Sequence, residues 1–239
     1  MIVFTTSLTW ELIINNSPAT MSQQIFYTDS ISNNAWRVAI YLHEKGLKPE
    51  VKVISLTKGE HKTDEFLAIN PRHQVPVYQD GDVVISESLA IMMYLEHKHH
   101  KHLPLIPAND KDYGTFLTRL FQFPAKMDPT AITFSVVFLK KTKAELTDKI
   151  LALLTEFKEW DRVLEGREYL ANTFSIADIA ILPSVTGNVE ILGLDLSQFP
   201  HLHAWYKRMW ERPSVKETCT FANVMNTIPH ERVLEGARL

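Results

Sequence analysis

NPRHQVPVYQDGDVVISESLAI (residues 70–91) places Pro76 inside a run that otherwise alternates like a β-strand. A proline donates no backbone hydrogen bond and restricts the residue before it, here Val75, to extended conformations, so its place at the mouth of a strand marks an edge or a special turn. Downstream, VPVYQ and DVVIS flank Asp80-Gly81, a hairpin turn pair. ESLAIMMYLEHKHHKH follows, with Ser86 as the expected N-cap of a helix. Apolar residues from Leu89 to Leu95 run around the whole circumference of this helix. It therefore requires cover on two sides, from the sheet on one and from a second domain or another subunit on the other.

Upstream, IFYT (25–28) is a short β-rich run, and NNAWRVAIYLHEKG repeats Trp36, Ala39, Ile40 and His43 at helical spacing before a stop at Gly46. EVKVIS (50–55) alternates as a second strand, and TDEFLAIN is a short helix. The predicted order is β, α, β, α, β, β. Past the hairpin helix, LPLIPAND (103–110) carries two prolines and reads as a linker. Beyond it the pattern is helical throughout, most clearly in the stripe of Leu146, Ile150, Leu153, Leu154, Phe157, Trp160 and Leu164. The expected organisation is an α/β domain over 22–103, a linker at 104–110 and an all-α domain over 111–239. In FSIADIAILP (174–183), Ser175 and Asp178 form a capping box, with Phe174 and Ile179 as its hydrophobic staple, so Asp178 is assigned to folding rather than chemistry.

The totals narrow the function. With 239 residues, 45% apolar and 22% charged, and a net charge of −3, the composition is that of an ordinary globular protein without the basic excess of a polyanion binder. One cysteine, Cys219, allows neither an internal disulfide nor a CxxC pair, which fits a reducing compartment. The longest apolar runs, such as FSVVFL (134–139), fall far short of the roughly 20 residues that span a bilayer. Residues 1–21 lack the features of a signal peptide and read as a dispensable or disordered leader. His97 and His100 in HKHHKH (97–102) share a helical face, but no carboxylate or cysteine in the segment completes a metal site, and imidazoles suit the negative end of a helix.

The α/β unit with Val-Pro at the entry to its third strand resembles the thioredoxin fold, in which that proline is cis. The chain as a whole, from Ser22 to about Phe221, resembles the cytosolic glutathione transferases: GEHKTDEF, NPRHQVPV, ISESLAIMMYLE and FSIADIAILP stand in that family's order and approximate spacing. The wording is most similar to the rho, phi and theta branches, and His73 is similar to the delta and epsilon branches of insects. The resemblance implies a thioredoxin-like N-terminal domain, an all-helical C-terminal domain, a homodimer in the cytoplasm, and detoxification of xenobiotics. It also implies glutathione as co-substrate, with neither a metal nor a prosthetic group.

Glutathione has an ammonium and a carboxylate at its γ-glutamyl end, a central thiol and a terminal carboxylate. By resemblance, Glu87 pairs with the ammonium, and Ser88 with the first amides of its helix takes the γ-glutamyl carboxylate, as a helix N-terminus favours. His61, Lys62 and His73 surround the glycine carboxylate, while Gln74, Val75 and Pro76 lie along the peptide backbone, which pairs with the strand edge. Conjugation needs thiolate, and a free thiol of pKa ~8.5 is only a few per cent ionised at neutral pH. Aligned on Trp36-Arg37, Ser32 falls on the activating serine of the theta, zeta and rho-like branches, where its hydroxyl donates to sulfur. Asn34 is the second candidate, because Ser32-Asn33-Asn34 is similar to the Thr-Pro-Asn of the nu-like branch. That reading implies glutathione-dependent disulfide or peroxide reduction. Met127, Ile132, Phe134, Phe138, Phe221 and Met225 are the expected apolar pocket for a small hydrophobic electrophile. A glutathione or ligand carrier without turnover is the alternative from outside enzymology.

Overall fold

The computed structural model describes residues 23–126, 132–219 and 228–239. Four strands form one mixed sheet: β1 (Gln24–Thr28), β2 (Glu50–Val53), β3 (Val77–Asp80) and β4 (Val83–Ser86), in the order β2-β1-β3-β4. β1 runs parallel to β2 and antiparallel to β3, and β3 pairs antiparallel with β4. The side-chain period of two sorts the strands between two cores. Phe26 and its partner Tyr78 join the large core under α1 (Asn33–Glu44) and α3 (Ser88–His99), whereas Ile25, Tyr27 and Val77 turn to the other face, where Phe66 of α2 (Asp64–Ile69) covers them. The segment order β, α, β, α, β, β is the predicted one.

Two local readings are corrected. Asp80 pairs with Val83, so the two-residue hairpin loop is Gly81-Asp82, with Gly81 at φ +61°, and Asp80 belongs to the ladder. Ser86 likewise pairs with Val77 as the last residue of β4 and does not cap α3; the N-cap is Glu87, at φ +69°, and its side chain makes no capping bond. Serine's N-cap preference pointed to Ser86, but the ladder takes that residue and the chain then turns through a left-handed residue.

The second half is helical: α4 (Asp110–Lys126), α5 (Ile132–Val137), α6 (Thr147–Val163), α7 (Ile176–Thr186), α8 (Pro200–Glu211) and α9 (Pro213–Thr218). The stripe read from sequence is buried along its whole length, from Leu146 to Leu164. The capping box of α7 is formed: Asp178, fully buried, accepts from the Ser175 amide and hydroxyl, the Leu170 amide and the Trp205 indole.

α1 joins the halves. It packs on α3 on one side and on α7 and α9 on the other, which is why almost every side chain from Ala35 to Leu42 is buried. Polar bonds reinforce the seam: Trp36 Nε1 donates to Thr218 Oγ1 at 2.9 Å, and the Arg212 fork holds Glu44 at 2.8 and 2.9 Å while lying 3.5 Å over the Phe174 ring. Lys45, just past α1, is buried against Glu96 of α3 at 2.8 Å and also donates to the His99, His102 and Leu103 carbonyls, closing the C-terminal end of α3. In α3 itself Ile91, Met92 and Leu95 are covered within the chain, but Ala90 is exposed and Leu89, Met93 and Tyr94 are half-buried.

Candidate active site

A cavity of about 1310 Å³ opens where the sheet, the start of α1, the start of α3 and helices α4 and α5 meet. Three turns shape its polar wall. Asp29, after β1, accepts from the Ile31 amide at 3.0 Å and from the Leu56 amide at 2.6 Å, which ties the loop entering α1 to the loop leaving β2. Ser32 then caps α1: its Oγ accepts from the Ala35 amide at 3.1 Å. A hydroxyl has one donor besides its two acceptor positions, so this cap leaves the Ser32 proton available to a group in the cavity.

The second turn is organised by Asn70, which is buried. Its Oδ1 accepts from the Arg72 amide at 3.1 Å, its Nδ2 donates to the Gln74 carbonyl at 2.8 Å, and its carbonyl accepts from the His73 amide at 3.0 Å. His73 sits there at φ +57°, a left-handed position that glycine adopts without penalty, so the histidine is a specific choice. Val75–Pro76 follows as a cis peptide, as the resemblance implied. The third turn is Glu87, after which the first amides of α3 face the cavity with no side-chain cap over them, and Ser88 is buried beside them. Such a terminus is an anion site.

Ser32, Asn34, His61, His73, Gln74, Val75, Pro76, Glu87 and Ser88 all border this one space. Lys62 does not: it is exposed on the 3-10 turn Glu60–Lys62, next to the lining rather than in it. Burial, followed by the charges of Lys62 and His73, holds the His61 imidazole below its usual pKa, and its Nδ1 is enclosed without a hydrogen-bond partner. Tyr27 is buried on β1 with its hydroxyl on Gln79 at 3.1 Å, away from the cavity.

The opposite wall is apolar. Phe134 and Phe138 border it, with ring centres 5.3 Å apart. Ile132 does not: it is 0% exposed and belongs to the helical core, because its turn of α5 faces inward. Met127, Phe221 and Met225 lie outside the described residues. Sequence reasoning missed Leu120, Phe121, Phe123 and Pro124, on the last turns of α4, and Met93 on α3. It also missed Arg37, which is buried and borders the cavity. The amphipathic pattern of α4 was the available signal for the first group, but periodicity alone does not separate a cavity wall from a core face.

Among the described residues no group of three His, Cys, Asp or Glu side chains is placed to hold a metal, and His100 Nδ1 lies 3.0 Å from the His97 carbonyl. No described helix is long and apolar enough to cross a membrane.

The pattern of similarity matches this geometry. The model of the glutathione S-transferase N-terminal domain matches residues 31–98, and that of the glutathione S-transferase C-terminal domain matches residues 115–213. Glutathione S-transferase 1 of Dianthus caryophyllus is 33% identical over 194 residues, covering 78% of this chain and 86% of the relative. The chain belongs to the glutathione S-transferase family. Among solved structures, a glutathione S-transferase of the Antarctic clam Laternula elliptica superposes with a TM-score of 0.78 at 29% identity, covering 90% of this chain and 100% of that one. A glutathione transferase homologue from Drosophila mojavensis with bound glutathione gives 0.79 at 27% identity, over 87% and 96%. The protein is thus a glutathione transferase with a thioredoxin-like domain followed by a helical domain. Its cavity has the Val75–Pro76 edge and the uncapped start of α3 on one side and aromatic rings on the other.

Proposed function

We propose that this transferase conjugates the thiolate of reduced glutathione to hydrophobic electrophiles, with Ser32 as the thiol's hydrogen-bond donor. The observation that carries the reading is the common cavity: the Ser32 hydroxyl, the Val75–Pro76 edge and the uncapped start of α3 border the same space as Phe134 and Phe138. The γ-glutamyl carboxylate lies on the amides at Ser88, with Glu87 on the ammonium. The peptide backbone runs along Gln74 and Val75, and the glycine carboxylate falls near His61 and His73, with Lys62 contributing charge from the rim. The thiolate attacks an electrophilic carbon, and the leaving group departs from that carbon as the C–S bond forms.

The working division is a glutathione-binding domain at 22–103, a linker at 104–110 and a helical domain at 111–239. We assign the protein to the cytoplasm and to homodimers. Asn34 favours a second reading, reduction of glutathione mixed disulfides or peroxides, because its side chain is also held at the cavity by Arg37. Turnover of an aryl chloride compared with a glutathione mixed disulfide separates the two. Faster reaction with the aryl chloride supports conjugation, faster reaction with the disulfide supports the Asn34 reading, and glutathione binding without either leaves a carrier.

A further inference from the structure

Among the described residues, two cations have side chains that are almost wholly buried, and they are treated differently. Lys45 is met by a carboxylate, Glu96, at 2.8 Å. Arg37, 3% exposed on α1, has only neutral partners: its Nε donates to the Ala180 carbonyl at 2.5 Å, Nη2 to Ser184 Oγ at 2.9 Å, and Nη1 to Asn34 Oδ1. The Phe123 ring lies 4.5 Å from its central carbon and holds the plane. A buried charge without a counter-ion is costly, and it persists where something else makes use of it. Burial alone pulls the Arg37 guanidinium down to about 9. Arg37 is also one of the residues that border the cavity, together with Ser32 and Asn34.

We propose that Arg37 is the positioning residue of the thiol site: it fixes Asn34 as a hydrogen-bond donor and supplies the unneutralised positive charge beside which the bound thiol ionises. This rests on the glutathione-activation reading above. The orientation of Asn34 follows from chemistry, because a guanidinium only donates, so the amide atom facing it is oxygen and both Nδ2 protons are left for other partners. Arg37 has five N–H groups, and three of them donate to protein atoms among the described residues. Two of its three anchors, Ala180 and Ser184, belong to α7, so the ionisation of a thiol bound mainly by the first domain depends on how the helical domain docks.

The competing role is that of an anchor between α1 and α7 and nothing more, which predicts lost stability with an unchanged thiol. The test is the pH titration of ultraviolet thiolate absorbance at saturating glutathione for wild type, Arg37→Gln, Arg37→Met and Arg37→Lys, with urea unfolding in parallel. We expect the neutral variants to raise the midpoint by about one pH unit, a tenfold loss of thiolate on the acid side. Arg37→Lys should restore much of the difference. Neutral variants that unfold more easily yet titrate like wild type would overturn the proposal. Should both fail to fold, Asn34→Asp decides, since it sets a counter-charge on Arg37 and removes the amide donor while leaving both anchors on α7: a raised midpoint supports the proposal and an unchanged one overturns it. A wild-type midpoint no lower than that of free glutathione would sink the activation reading itself, and the proposal with it, and is visible before any variant is made.

Discussion

Ser32 has two separable tasks, and two substitutions tell them apart. Its Oγ accepts from the Ala35 amide at 3.1 Å as the cap of α1, and its proton is assigned to the thiolate. Ser32→Ala removes both functions. Ser32→Gly removes the thiolate donor but keeps most of the capping preference, since glycine at an N-cap costs only a few tenths of a kcal/mol where alanine costs about 1. A hydrogen bond to a charged group contributes roughly 1.5–3 kcal/mol, or about one to two pH units of thiol ionisation. The two variants should therefore share a thiolate midpoint one to two units above wild type, while urea unfolding shows a loss of about 1 kcal/mol in Ser32→Ala and less in Ser32→Gly. At a pH below the wild-type midpoint, kcat/KM with an electrophile should fall about 10- to 100-fold in both. If both titrate like wild type while only Ser32→Ala loses stability, the serine is a cap and the activator lies elsewhere.

Other consequences concern the frame around the site. Lys45→Met leaves the buried Glu96 carboxylate and three carbonyls without their cation, so urea unfolding should show a loss of about 3–5 kcal/mol, and the double variant Lys45→Met/Glu96→Leu should recover part of it. Burial raises the Glu44 carboxyl, but bonds from Arg212 and Ser214 outweigh it and hold the group below its ordinary value of 4.5. A lowered carboxyl contributes stability above its unfolded pKa and loses it as pH falls, so the wild type should weaken below about pH 4.5. In an acid-unfolding series Glu44→Gln should flatten that part of the profile. Asn70→Ala unties the turn from Asn70 to Gln74 and should raise the Kd for glutathione several-fold, as read by calorimetry, with the thiolate midpoint of the saturated complex unchanged.

What was legible from sequence is what short-range physics determines. The strands, the α6 stripe and the Ser175–Asp178 box all rest on periodicity or on bonds spanning a few residues, and all are found where expected. Ser86 and Asp80 were misplaced because residue preference was weighed without the ladder register, which claims both residues for strands. Ile132 was misassigned because a short helix presents one face to the cavity and another to the core, and the list of apolar residues does not say which. Arg37 and Asp29 went unnoticed for a further reason: their partners, Ala180, Ser184 and Leu56, are remote in sequence. Nothing in the local pattern around Trp36-Arg37 marks the arginine as a residue of the cavity.

The most direct test is the ultraviolet absorbance of thiolate in the wild-type complex with reduced glutathione, followed against pH. Free thiol ionises at about 8.5. A midpoint one to two units lower is expected if this cavity binds the tripeptide and ionises it beside Ser32. A midpoint at the free value in a saturated complex would contradict that, leaving a chain that holds glutathione without activating it.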